Sequence, residues 1–322
     1  MTAEAQSSRL RQTLSRRESD KGHEKQSHEA FFSPAPPARL AVLRLCTGIF
    51  SVLYLVLRGP HWLDISHFDS TRFLPIGVLF WLSSPLPALV FQALTVLCLL
   101  TGIAYTTGWR FRVTGPLFGL LLLLVTTYRN SWGQIFHSEN LMVLHVLVIG
   151  FAPAADVCSS DRRRSSAPVP LRAFRYGWPV RLLALITVLT YLVAGLAKLH
   201  NAGFSWATGD VLLHQVAFDN MRKDAFGTVY SPLGAALVAH HWVFPPMALG
   251  SLFVELGAPL AGFSSSFARI WVPAAWLFHV GVLAFMAIVF PYPLFGVAFA
   301  AFYRVERLLE WRLLAPLVRH WT

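Results

Sequence analysis

Apolar residues in this chain come in long unbroken runs rather than in the one-faced or alternating patterns of a soluble fold. The runs cover residues 40–57, 85–107, 113–128, 140–156, 178–198, 244–263, 269–290 and 293–303. A bilayer core of about 30 Å takes roughly 20 residues of helix to cross. Helices also satisfy their own backbone where no water can. The pattern therefore predicts an all-α fold, a polytopic membrane helix bundle of about eight transmembrane spans. The first 39 residues are polar and of mixed charge, end near Pro34, Pro36 and Pro37, and lack the apolar core of a secretory leader. They read as a disordered tail over 1–39, followed by a membrane domain over 40–303 and a second tail over 304–322.

Composition excludes the soluble alternatives. Of 322 residues, 55% are hydrophobic and only 13% charged, against about 25% charged in soluble domains. The net charge of +11 invites a nucleic-acid partner, but its distribution answers otherwise. With the N-terminus cytoplasmic, the outer segments hold Arg58, Arg72, Arg129, Lys198, Arg222 and Lys223. Arg44 lies within the first span, and every other Lys or Arg falls on an inner segment. This is the positive-inside bias, and it predicts both termini in the cytoplasm. The run Arg162-Arg163-Arg164 then reads as an anchor near anionic lipid, with membrane lipids rather than nucleic acid as partner. A bacterial plasma membrane is the expected location.

Metal and disulfide chemistry find no footing. Cys46 and Cys98 fall in spans and Cys158 in an inner loop, so no external pair exists. His240 and His241 adjoin, and neighbours on a helix do not share a face. No phosphate-binding glycine loop or hydrolase motif is present.

A few ionisable residues stand where charge is expensive. Arg44, near the inner end of the first span, reads as snorkelling to the headgroups. The outer segment from Arg58 to Ser84 mixes Trp62, Asp64, His67 and Asp69, suiting it either to cap a cavity or to lie on the interface. The connection Arg129 to Asn140 collects polar groups, including Trp132 and His137, that water could satisfy in an external loop. Lys198 ends the fifth span three residues after Gly195, which permits close helix approach. It either snorkels or sits in an apolar pocket where burial disfavours the ammonium and leaves an amine as base. Glu255 and His279 fall near the middle of their spans. Glu255 needs neutrality or a partner, for which His279 and Arg44 are candidates. His279 is either a satisfied core histidine or a catalytic one, and His145 reads as a core polar residue.

These residues carry a resemblance. Tyr191-Leu-Val-Ala-Gly-Leu-Ala-Lys198-Leu, followed by Trp206 and Gly209, resembles a motif of the horizontally transferred transmembrane domain (HTTM) family, which includes vitamin K-dependent gamma-glutamyl carboxylase. Ser131-Trp132 through His137-Ser138, Glu255 where the carboxylase has an aspartate, Phe278-His279 and the opening Leu40 to Leu45 are similar as well. The similarity covers roughly residues 40 to 300. It implies that Lys198 is a base toward a lipid-soluble isoprenoid or quinol. His137, His279 and Glu255 would complete the catalytic group, with Trp132, Tyr191, Trp206, Asp64 and Asp69 binding substrate. A reduced quinone would be the cofactor if the chemistry is carboxylase-like, and otherwise none. This chain has Ala197-Lys198 where the carboxylase has two lysines, and it ends at Thr322 where the carboxylase continues into a lumenal portion. The resemblance thus extends to the membrane core and not to capture of propeptide-tagged proteins.

Two other functions compete. A prenyl-chain (terpene) cyclase would use Glu255, Asp64 or Asp69 as acid and aromatic faces to stabilise cations. A non-enzymatic factor for maturation or export of a secreted peptide toxin would have a peptide partner and tolerate loss of Lys198. No internal repeat or pair of broken helices favours transport.

Overall fold

The computed structural model describes residues 33–65, 67–133, 135–165 and 167–310. The expected tails fall outside these residues up to position 32 and again from 311 onward. Among the described residues there is no strand, only an isolated antiparallel bridge between Ala35 and Ala173. The helices in chain order are α1 (Pro37–Ile65), α2 (Ala88–Thr107), α3 (Phe111–Asn130), α4 (Asn140–Gly150), α5 (Phe174–Ala202), α6 (Asp210–Ala225), α7 (Pro232–Leu237), α8 (Phe244–Leu256), α9 (Ala258–Phe263), α10 (Ser265–Met286) and α11 (Pro291–Leu294).

The chain is an all-helical integral membrane protein. Five helical stretches are long and apolar enough to cross a bilayer, namely α1, α2, α3, α10 and α5 with its continuation to Trp206. The other expected spans take different forms. Residues 140–156 give an 11-residue helix, α4. Residues 244–263 divide at Gly257 into α8 and α9, and 293–303 begin within α11 and continue as a 3-10 stretch, Val297–Phe302. Where the sequence suggested a loop from Arg58, α1 continues to Ile65 through Pro60. Trp62 is fully buried in that extension, and its ring lies 6.0 Å from that of Tyr54.

Helices approach closely where glycine removes the side chain. At the α3–α4 crossing, a Cβ on Gly115 would stand 2.6 Å from the Gly150 carbonyl oxygen. Apolar lipid gives little drive for helices to associate, so such close contacts carry much of the packing. The α2–α3 hairpin turns at Gly108, whose φ of 67° suits a residue without Cβ. That turn also leaves room for Arg44. Its guanidinium does not snorkel as expected: Arg44 is fully buried, donates to the Cys158 carbonyl, and lies 5.7 Å over the Phe111 ring. A protein carbonyl and a ring face stand where headgroups were expected.

The Arg129–Asn140 connection also departs from expectation. Arg129 and Glu139 are 4% and 2% exposed, with Nη1 2.5 Å from Oε1. Tyr54 donates to the same carboxylate and Ser138 to its other oxygen. Protein groups, not water, satisfy these charges and join α1, α3 and the start of α4. His145 is fully partnered in the core, through Tyr292 at 2.8 Å and the Leu183 carbonyl at 3.2 Å.

The described ends of the chain lie together. Arg39 grips Glu306 with two bonds of 2.8 and 2.6 Å, and Ala35 pairs with Ala173 at the start of α5. A helix of 29 residues extends about 43 Å at 1.5 Å per residue, so the far end of α5, with Lys198, approaches the opposite face. There α6 and α7 clamp the end of α10. Asn220 donates to the Phe285 carbonyl, Ser231 to Ala284, and Lys223 to Met286, supplying partners to carbonyls that a helix end leaves open.

The two ion pairs at opposite faces differ in burial, and their losses should differ accordingly. Glu139→Ala strands a buried guanidinium and should cost about 3–5 kcal/mol. Glu306→Ala opens a partly exposed pair and should cost on the order of 1 kcal/mol. Thermal unfolding in detergent micelles compares them, and equal shifts would contradict the assignment.

Candidate functional site

Three residues of α5, Tyr191, Gly195 and Lys198, recur at i, i+4 and i+7 and so share one face. Gly195 allows α8 to press against that face: a Cβ added there would lie 2.9 Å from both Glu255 Cβ and Leu256 Cδ2. The approach brings Lys198 Nζ to 2.7 Å from Glu255 Oε1, with side chains 20% and 4% exposed. The partner of Glu255 is thus Lys198, and neither His279 nor Arg44 as the sequence suggested. Glycine sets the helix separation, and the length of the lysine stem suits it.

Aromatic faces surround the ammonium. Lys198 Nζ stands 4.7 Å from the Trp206 ring centroid and 5.2 Å from that of Phe278, contacts worth about 0.5–2 kcal/mol each depending on desolvation. Trp206 is itself fixed, donating from Nε1 to Ser251 Oγ at 3.1 Å, and Ser251 lies one helical turn before Glu255. The lysine, its ring and its carboxylate are thereby referred to the same two helices.

The third wall is α10. Trp271 donates to the Val254 carbonyl at 2.8 Å and meets Tyr191 edge-on at 5.1 Å. Two turns further, His279 Nε2 lies 2.7 Å from the Tyr191 hydroxyl. Its ring contacts Phe290 at 5.2 Å, and Phe290 in turn contacts His137 at 5.3 Å. His137 is exposed and reaches the cluster through that phenylalanine, not by a polar bond.

The structure therefore brings together Lys198, Glu255, Tyr191, His279 and Trp206, with His137 at the rim. It does not bring in the other three residues expected to bind substrate. Trp132 packs against Phe68, Phe73 and Tyr128. Asp69 caps a 3-10 turn by accepting from the Thr71 backbone, and Asp64 lies exposed at the end of α1. Among the described residues no contact joins these three to Lys198. Sequence reasoning overlooked Ser251, Trp271 and Phe290. Of these, Trp271 had a signal, since buried Trp271, Ala275 and His279 recur at four-residue spacing on α10. Among the described residues no cluster of His, Cys, Asp and Glu could hold a metal ion.

Comparison with known proteins agrees with this architecture. Residues 32–306 match the model of the HTTM domain, so the chain belongs to the HTTM domain family. No curated protein and no solved structure matches it.

The pair with Glu255 gives Lys198 a structural role. Lys198→Met strands the Glu255 carboxylate and should cost about 3–5 kcal/mol, whereas the double variant Lys198→Met, Glu255→Leu should recover most of that loss. Unfolding midpoints in detergent test the coupling; a double variant no more stable than the single one would show that the two groups do not act as a unit.

Proposed function

We propose that this HTTM-domain protein is an integral-membrane enzyme, in a bacterial plasma membrane, that acts on an isoprenoid or quinol lipid with Lys198 as its base. The observation that carries this reading is the Lys198–Glu255 pair, 2.7 Å apart between α5 and α8 and beside α10. Only 28% of the apolar stretch of α5 and 22% of that of α10 are buried within the protein. A substrate dissolved in the bilayer would thus reach the site sideways, without crossing water.

The pairing supports base chemistry in a membrane. Moving one proton from Lys198 Nζ to Glu255 Oε1 turns an ion pair into an amine and a carboxylic acid. The amine then takes a proton from a substrate hydroxyl or acidic C–H. One ammonium is left opposite one substrate anion while Glu255 keeps its proton, so charge stays balanced. The faces of Trp206 and Phe278 favour that ammonium. In a carboxylase-like reaction a reduced quinone would supply the electrons as co-substrate. Its flat ring suits the aromatic walls formed by Trp206, Phe278 and Phe290.

A second reading shares the site. Tyr191, Trp271, Phe278 and Phe290 ring His279 or its neighbours, and such faces stabilise carbocations. With Glu255 as the proton donor, this arrangement would suit cyclisation of a prenyl chain, which needs neither quinone, carbon dioxide nor oxygen.

Lipid extracts of cells expressing wild type and Lys198→Arg, compared by mass spectrometry, separate the possibilities. Arginine keeps the charge opposite Glu255 but does not deprotonate. A new isoprenoid or quinone-derived product should appear with wild type and fall by about 10²–10⁴ with the variant, the range of a general base. A product that forms without quinone favours cyclisation. An undiminished product in Lys198→Arg would end the role of Lys198 as base and favour cyclisation through Glu255, whereas no new product with either chain would favour a factor for a secreted peptide.

A further inference from the structure

The turn between α2 and α3 gathers positive charge at one face of the bundle. Both helices are long and apolar enough to cross a bilayer, so the turn between them falls at headgroup depth. Trp109 stands there 41% exposed, at the level that suits an indole, and the Arg110 guanidinium lies 5.3 Å over its ring. Arg112, in the first turn of α3, is exposed as well. Arg110 holds left-handed backbone, with φ 46°, which glycine or asparagine adopts with less strain. The turn thus tolerates strain to set a guanidinium at this point.

A second basic segment is laced onto the turn. Ser160 donates its backbone N–H to the Thr107 carbonyl at 2.9 Å, and Asp161 to that of Gly108 at 3.2 Å. In return, the Asp161 carboxylate accepts from the backbone N–H groups of Arg110 and Phe111, both at 2.8 Å. These bonds set the 3-10 turn Arg162–Arg164 beside Arg110 and Arg112. The sequence pointed only to the run of three.

Carboxylates do not balance this corner. Asp161 gives both oxygens to the open N–H groups at the start of α3, and Asp156 pairs with Arg175. Among the described residues, Arg110, Arg112, Arg162 and Arg164 form no ion pair. Beneath them Arg44 is fully buried, with Nε and Nη1 lacking a hydrogen-bond partner among the described residues. It abuts the turn so closely that a Cβ on Gly108 would overlap Nη1. A guanidinium held out of water is poorly screened, so its field adds to that of the arginines above it.

We infer that this corner is a binding site for the phosphate group of an anionic lipid, gripped by Arg110 and Arg112 from one segment and by Arg162 and Arg164 from the other. Guanidinium forks match phosphate oxygens in pairs. Ile103 and Val113, 46% and 65% exposed on the same two helices, offer apolar surface next to the corner for acyl chains. An acidic peptide or a nucleic acid would answer the charge and leave that surface unused. The inference is independent of the catalytic reading of Lys198.

The test uses the full chain in detergent micelles and native mass spectrometry with phosphatidylglycerol and phosphatidylcholine of the same acyl chains. Both carry a phosphodiester, and only the first is a net anion. Phosphatidylglycerol should bind at least about tenfold tighter, the scale set by a few arginines at one headgroup. Arg110→Gln with Arg112→Gln should bring the ratio to about twofold or less, and Arg162→Gln with Arg164→Gln should do the same from the other segment. Arg269→Gln with Arg304→Gln removes equal charge from other elements and should leave the ratio within about twofold of wild type. Retained phosphatidylcholine binding shows that each variant is folded. Millimolar inorganic phosphate tells the sources apart. No displacement of phosphatidylglycerol supports the lipid headgroup, whereas phosphate that binds in its place makes free phosphate the ligand and overturns the lipid assignment. A wild-type ratio near one overturns the inference outright. So does an equal fall in all three double variants, which would mean diffuse attraction without a site.

Discussion

A lysine and a glutamate can leave water only together, and the end of this bundle that holds α8 is arranged around that constraint. Burying either charge singly costs several kcal/mol, and their attraction offsets the cost only when the geometry is tight. Gly195 provides the tightness, because any side chain there would run into Glu255 and Leu256. Once α5 and α8 are that close, Trp206 reaches Ser251, and α10 is tied in by Trp271 on the Val254 carbonyl. Tyr191 and His279 then meet as a consequence. The site is thus built from one permissive glycine outward.

The same rule governs the charges elsewhere, with different outcomes. Arg129 and Glu139 are paired, and Tyr54 and Ser138 add further hydrogen bonds to the carboxylate. That network fastens α1, α3 and α4 and engages both oxygens of the carboxylate. His145 has both ring nitrogens engaged, by Tyr292 and by the Leu183 carbonyl. Saturated networks specify structure. Among the described residues, the Lys198 cluster combines an open carboxylate oxygen with an open ring nitrogen, and that incompleteness marks it as the candidate site.

Much of this was legible in the chain before any coordinates. Long apolar runs gave the all-helical membrane bundle, because a bilayer leaves few other ways to satisfy a backbone. Lys198, Glu255 and His279 stood out because ionisable residues within apolar runs are rare and need a partner. The pairing itself was not legible: assigning Lys198 to Glu255 depends on how closely α5 and α8 approach, which Gly195 allows but does not announce. Arg44 misled for a related reason. A cation near a helix end snorkels by default, and only the turn at Gly108 shows that the Cys158 carbonyl lies nearer than the headgroups. Asp64, Asp69 and Trp132 were drawn in by their chemistry, whereas the extension of α1 to Ile65 and the packing of Trp132 on Phe68 and Phe73 leave them apart from Lys198.

The position of His137 follows from the same geometry and sets its role. It touches the cluster through Phe290, whose ring contacts both histidines, and among the described residues no hydrogen bond links it to Lys198. In the proposed function, an exposed imidazole at the rim, one aromatic layer from the buried pair, would meet the polar end of a lipid. The buried histidine would meet the reacting group. Two residues of one type thus stand on either side of a single phenylalanine in environments of very different polarity. In a membrane site, depth rather than residue identity decides which of them shares the chemistry of Lys198.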